Sequence, residues 1–173
     1  NPTADRKETM PTSQLFHGVI SSQRRRSHDE VADRSERIAS GLQKLGVKQG
    51  DSVAMLMRND IAFIEAAYAA MRLGAYGVPV NWHFKPEEIN YVLKDSGTSV
   101  LIAHADMLHQ LREAIPPGVI ALSVPTPPEI IANYKINPDH LTTPDFAIDF
   151  ESWLKQHPRY DGPAVPQPQN MIY

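Results

Sequence analysis

Residues 41–103 read GLQKLGVKQGDSVAMLMRNDIAFIEAAYAAMRLGAYGVPVNWHFKPEEINYVLKDSGTSVLIA, and the alternation of periods within them decides the fold. Gly50-Asp51 makes a turn. Ser52 to Met57 is an apolar run bounded by turn and polar residues, which predicts a buried strand. Asn59 or Asp60 caps the apolar helix IAFIEAAYAAMRLGA. Its Ala66, Ala67, Ala69 and Ala70 permit close packing on a sheet, and Gly74 ends it. Tyr76 to Val80 is the next strand. Pro86 opens the helix PEEINYVLKDS, where its missing N–H costs little. Ile89, Val92 and Leu93 share one face of that helix, Gly97 closes it, and Ser99 to Ala103 is a further strand. Strands alternating with helices predict a layered α/β fold with a largely parallel sheet and flanking helices.

On the amino-terminal side, Phe16–Ile20, the polar Ser21-Ser22-Gln23 and Arg24–Arg26 predict a short hairpin. Ser27 with Glu30 three residues later has the spacing of a capping box. The helix it starts runs from about His28 to Leu45, with Val31, Ile38, Leu42 and Leu45 as its apolar stripe and Gly46 as its stop. On the other side, a short helix is expected at about Ala105 to Ala114 and a strand at Val119 to Val124. Composition then shifts, because residues 125–170 hold much of the proline. One helix is expected there, at about Asp149 to His157, and PRYDGPAVPQPQN is too proline-rich for a central strand. Met171-Ile172-Tyr173 has the look of a strand beginning. The expected organisation is a flexible leader at 1–14, an α/β portion at 15–124, and a proline-rich extension at 125–173 leading into the next strand of the same, incomplete domain.

The 173 residues carry a formal net charge of -3 with a pI near 6.2. That balance gives no field favouring nucleic acid. The one dense basic run, Arg24-Arg25-Arg26, reads as a solvated turn. The chain has no cysteine, which excludes disulfides, thiolate metal sites and a cysteine nucleophile and fits a cytoplasmic location. No apolar stretch reaches the roughly 20 residues a membrane helix needs. The polar start NPTADRKETMPTS lacks the apolar core of a signal peptide, and its first residue, Asn1, is not expected to be the natural start.

No G-x-G-x-x-G, Walker-type loop, G-x-S-x-G elbow or H-E-x-x-H is present. The carboxylate pairs Glu87-Glu88 and Asp149 with Glu151 are sequence neighbours and do not supply two carboxyls facing one cleft. No catalytic residue and no metal ligand set emerges. Asn81-Trp82-His83-Phe84 is different, because it follows an expected strand and precedes a helix, where open α/β sheets bind ligands. Trp82 and His83 suit stacking on a purine, and the competing reading has Trp82 and Phe84 pack the loop on the core. His109 and Arg112 follow the next strand and can meet a phosphate, the alternative being a solvated helix face.

The ordered set of "GL-x-x-x-G-V-x-x-G-D-x-V" at 41–53, a strand ending near Asn59, "A-x-x-A-x-x-x-x-G-A" ending at Ala75, "P-x-N" at 79–81 and "E-E-x-x-Y-x-L-x-D-S" at 87–96 resembles the start of the adenylate-forming superfamily. That superfamily includes acyl-CoA synthetases, luciferases and peptide-synthetase adenylation domains. The resemblance covers 27–103 continuously, with a weaker echo to Tyr173. It implies the front of an AMP-forming ligase that activates a fatty or aryl acid with ATP and Mg2+ as an acyl-adenylate and passes it to CoA. The family's glycine-rich phosphate loop normally begins directly after a strand like Met171-Ile172-Tyr173. The implied partners are therefore the remainder of the same enzyme and a small carboxylic acid, with the isolated segment inactive. Trp82 and His83 are implied to border the CoA nucleotide. His109 and Arg112 are implied to contact its phosphate, although a histidine stands at 109 where arginine is expected. The alternative is a non-catalytic binding or scaffold module paired with another chain.

Overall fold

The computed structural model describes residues 16–169; the expected leader at 1–14 and the strand start at Met171–Tyr173 lie outside the described residues. The chain enters through an antiparallel hairpin, β1 (Gly18–Ser21) and β2 (Arg24–Ser27), turning at Ser22-Gln23 with Ser22 at φ 55°. Ser27 then caps α1 (His28–Lys44). Both reciprocal bonds of the capping box form: Glu30 N–H to Ser27 Oγ at 3.2 Å, and Ser27 N–H to Glu30 Oε2 at 2.7 Å.

Five parallel strands follow: β3 (Ser52–Leu56), β4 (Tyr76–Pro79), β5 (Thr98–His104), β6 (Ile120–Val124) and β7 (Ile148–Asp149), in the order β4-β3-β5-β6-β7. The connecting helices are α2 (Ile61–Arg72), α3 (Pro86–Asp95), α4 (Ala105–Leu108), α5 (Pro128–Tyr134) and, after β7, α6 (Phe150–Lys155). Alternate strand residues point to opposite faces, so each face has its own core. Val53, Met55, Val100, Ile102 and Leu122 meet Ile38 and Leu42 of α1, Ala66 and Ala70 of α2, and Phe150 and Leu154 of α6. Ala54, Leu56, Leu101 and Ala103 meet Ile89 and Leu93 of α3 with Leu108 and Leu111. Full burial of a Leu or Ile contributes about 1.5–3 kcal/mol, and Ile38, Leu42, Leu101 and Ile102 are all fully buried. Gly41 lets α1 approach α6, since a Cβ there would lie 2.4 Å from the Trp153 ring.

Three differences from the sequence reading have local causes. The helix expected over 105–114 ends at Leu108 and continues as turns. Leu111 and Ala114 donate to carbonyls three residues back, and Leu108, Leu111 and Ala114 are all buried. A repeat of three keeps those apolar residues in line, and Pro116 disfavours helix just before it. α5 and a 3-10 turn at Pro138–His140 are absent from the sequence reading, because prolines at 125, 127 and 128 read as loop; Pro128 instead sits in the first turn of α5. The two-residue β7 was too short to see. α6 begins at Phe150, with Asp149 as its cap.

The chain leaves β3 into α2, which packs on one face, and leaves the adjacent β5 into α4, on the other. Neighbouring strands whose connections part in this way open a crevice at their carboxyl ends.

Candidate functional site

That crevice is lined by the residues that directly follow β3, β4, β5 and β6. Asp60 stands at the N-cap of α2, yet its side chain makes no cap bond. Its Oδ1 accepts from Arg24 Nη2 at 2.7 Å, and its Oδ2 lies 3.0 Å from His104 Nε2. His104 Nδ1 accepts the Arg58 backbone N–H at 3.3 Å, which leaves the ring proton on Nε2 for Asp60. His104 is fully buried and Asp60 is 7 % exposed. Burial pushes the Asp60 carboxyl up. Hydrogen bonds from His104 and Arg24, with the Arg24 charge, outweigh it and hold the pKa below the ordinary carboxylate value. Arg24 also donates to Glu129 of α5 at 2.7 and 2.8 Å, and that bond leads the causes that lower the Glu129 pKa. The hairpin is thereby tied to the β3–α2 turn and to α5. A second ionic link lies nearby: fully buried Glu65 of α2 accepts from Arg26 at 2.5 Å and Arg34 at 3.0 Å, and Arg34 also pairs with Glu151 of α6.

Arg58 is the centre of the open part of the crevice. Its Nη1 donates to Asp106 Oδ2 at 2.9 Å, and Asp106 Oδ1 accepts from the Thr126 hydroxyl at 2.7 Å. The guanidinium lies 5.0 Å from the Trp82 ring and 4.7 Å from the Tyr134 ring. These rings meet edge-on at 5.3 Å. Such cation–ring contacts contribute about 0.5–2 kcal/mol each. Arg58 Nε is buried without a hydrogen-bond partner. Beside this cluster is a cleft of about 210 Å³, lined by Leu56, Arg58, Trp82, Phe84, Asp106 and Gln110 among others.

Of the residues singled out from sequence, the structure brings Trp82 and His83 together, with ring centroids 3.6 Å apart, and places Trp82 in the cleft. The turn is set by Asn81 Oδ1 accepting the His83 N–H at 3.0 Å. His109 and Arg112 are not part of the cleft lining. His109 Nε2 bonds to the Thr142 carbonyl at 2.7 Å, and its ring stacks on His140. Arg112 lies over Phe146 and pairs with Asp145. Sequence reasoning missed Arg58, Asp60, His104, Asp106 and Thr126. Their signal is position: each is a polar residue within a few positions of the end of an apolar strand.

The cleft thus presents an aromatic ring, Trp82, beside the guanidinium of Arg58, and Arg58 and Arg112 both already hold carboxylates. The sequence has no glycine-rich loop for a triphosphate, and among the described residues no three His, Asp or Glu gather in a way that could hold a metal ion.

The model of the AMP-binding enzyme family matches residues 6–170. The long-chain-fatty-acid–CoA ligase FadD13 of Mycobacterium tuberculosis is 38% identical over 90 residues, covering 50% of this chain and 18% of that protein. The feruloyl-CoA synthase of an Amycolatopsis species is 34% identical over 111 residues, 60% of this chain and 23% of its own length. The crystal structure of a putative long-chain-fatty-acid CoA ligase from Rhodopseudomonas palustris superposes with a TM-score of 0.58 at 28% identity, over 83% of this chain and 32% of that one. The chain spans about a fifth of the curated relatives it matches. Among the described residues no helix is long and apolar enough to cross a membrane. With its parallel sheet, its split cores and a family match running almost end to end, the chain belongs to the AMP-binding enzyme family.

Proposed function

We propose that this chain is the nucleotide-facing opening portion of an AMP-forming acid–thiol ligase, which activates a fatty or aryl carboxylic acid with ATP and transfers it to CoA. The observation that carries this reading is the aromatic and cationic cleft at the carboxyl ends of β3, β4 and β5, in a chain of the AMP-binding family. In this reading Trp82 and His83 form the platform for the CoA adenine, and Arg112 and His109 take its phosphate. The acid, ATP and Mg2+ are held by the remainder of the enzyme, as a continuing chain or a companion polypeptide, and the 173-residue chain alone is inactive. The cysteine-free sequence suits the cytoplasm, where such an enzyme meets ATP and CoA.

The test is ATP-dependent acyl-CoA formation by the full enzyme carrying this sequence, with a panel of fatty and aryl acids. Product with at least one acid is expected, and its loss in the isolated chain. A folded full-length protein that forms no acyl-CoA with any acid, yet co-purifies with another polypeptide, would replace this reading with that of a binding module.

A further inference from the structure

Three of the side chains assigned above to a nucleotide, Trp82, His109 and Arg112, meet one segment of the chain itself. Residues 125–147 connect β6 to β7, and within α5 only Ile130 is buried. This long excursion is fastened at four points. Glu129 is held by Arg24, Tyr134 lies against Trp82 and Arg58, His140 and Thr142 meet His109, and Asp145 and Phe146 meet Arg112. Tyr134 brings an aromatic ring to Trp82, and Asp145 brings an anion to Arg112. A purine ring and a phosphate are the same two kinds of group.

We propose that residues 125–147 are an internal stand-in for the nucleotide, seated through Tyr134 and Asp145 on the side chains that bind CoA and displaced by it. The inference rests on the assignment of Trp82 and Arg112 made above. The latches are suited to release. Arg112 and Asp145 are 54% and 80% exposed, and exposed pairs hold weakly because water and salt screen them. Tyr134 is 49% exposed. α5 ends at Lys135, a non-glycine residue in the left-handed region (φ 49°, ψ 48°), which closes the helix with the Ile136 N–H donating to the Ile131 carbonyl. Ile130, Pro144 and the Thr126–Asp106 bond stay as buried anchors at its two ends.

The test is the CoA dependence of the full-length enzyme. Tyr134→Ala and Asp145→Asn are each expected to lower the KM for CoA by about two- to five-fold, the range set by an exposed contact. Trp82→Ala and Arg112→Ala are expected to raise it. If the latter two raise the KM while Tyr134→Ala and Asp145→Asn leave it unchanged or raise it, the stand-in is overturned and the ligand assignment survives. If neither Trp82→Ala nor Arg112→Ala raises the KM, both fall. Independently of any variant, adenosine 3′,5′-bisphosphate is expected to speed tryptic cleavage after Lys135; unchanged or slower cleavage contradicts displacement.

Discussion

The two ends of the parallel sheet are closed by different means. At the amino end the backbone does most of the work. Gly50 N–H donates to the Gly74 carbonyl at 2.9 Å, Tyr76 N–H to Asp51 at 2.7 Å, and Val165 N–H to Arg72 at 3.1 Å. The segment 158–169 crosses this end as a strap, with Gln167 bonded to the Ala75 carbonyl and Gln169 to the Tyr76 hydroxyl. At the carboxyl end, closure depends on particular charged side chains: Arg24, Arg58, Asp60, His104 and Asp106. Backbone bonds tolerate many sequences, whereas a buried ion pair gains little over apolar packing and is very costly to halve. A fold that places its identity-dependent interactions at one end marks that end as the place where chemistry constrains the sequence.

Changes that halve a buried pair should expose this contrast most strongly. Glu65→Ala leaves Arg26 and Arg34 facing an empty buried site and should cost about 3–5 kcal/mol, read as a lower urea midpoint of the full-length protein. At the amino end, Gly74→Ala sets a side chain at φ 69°, with its Cβ 2.7 Å from the Pro166 carbonyl. It should cost about 1–3 kcal/mol and loosen the strap, while Trp82 keeps its fluorescence.

Acid should separate the ends further. The Asp60 pKa is depressed in the folded protein, so its stabilisation is complete above the unfolded value and is lost as pH falls through the folded one. The stability gap between wild type and Asp60→Asn should therefore shrink below about pH 4. His157, packed on Trp153 near the strap, has its pKa lowered by burial and by the Lys44 charge. The unfolded chain then takes up the proton first, so stability should decline as pH drops below about 6.5 until the folded pKa is passed. His157→Gln should flatten that stretch of the pH–stability curve. The smallest effect belongs to Lys135→Gly, which relieves the left-handed residue and should stabilise by about 0.5 kcal/mol at most.

Most of the framework from Ser27 to Val124 was legible, because caps, glycine stops and the change between helical and strand periods are local signals. The capping box at Ser27 and Glu30 and the proline start of α3 both formed as read. The segment 105–114 misled, since apolar residues three apart suit either a helix or a chain of turns. The candidate site was only half legible. Trp82 and His83 stood out as aromatic residues after a strand. Asp60 looked like an ordinary cap, because its partners Arg24 and His104 lie 36 and 44 positions away and no local pattern announces them. His109 and Arg112 stand out in the sequence as basic residues after a strand, but their contacts with residues 140–146 have no local signal, since those partners lie about 30 positions away.

The most direct test of the central claim, that the carboxyl end of this sheet faces the CoA nucleotide, is the CoA dependence of acyl-CoA formation by the full-length enzyme with Trp82 replaced by alanine. A KM for CoA raised about ten-fold, as for the loss of one aromatic stacking surface, with the KM for ATP unchanged, is expected. An unchanged KM for CoA in a folded, active variant would contradict it.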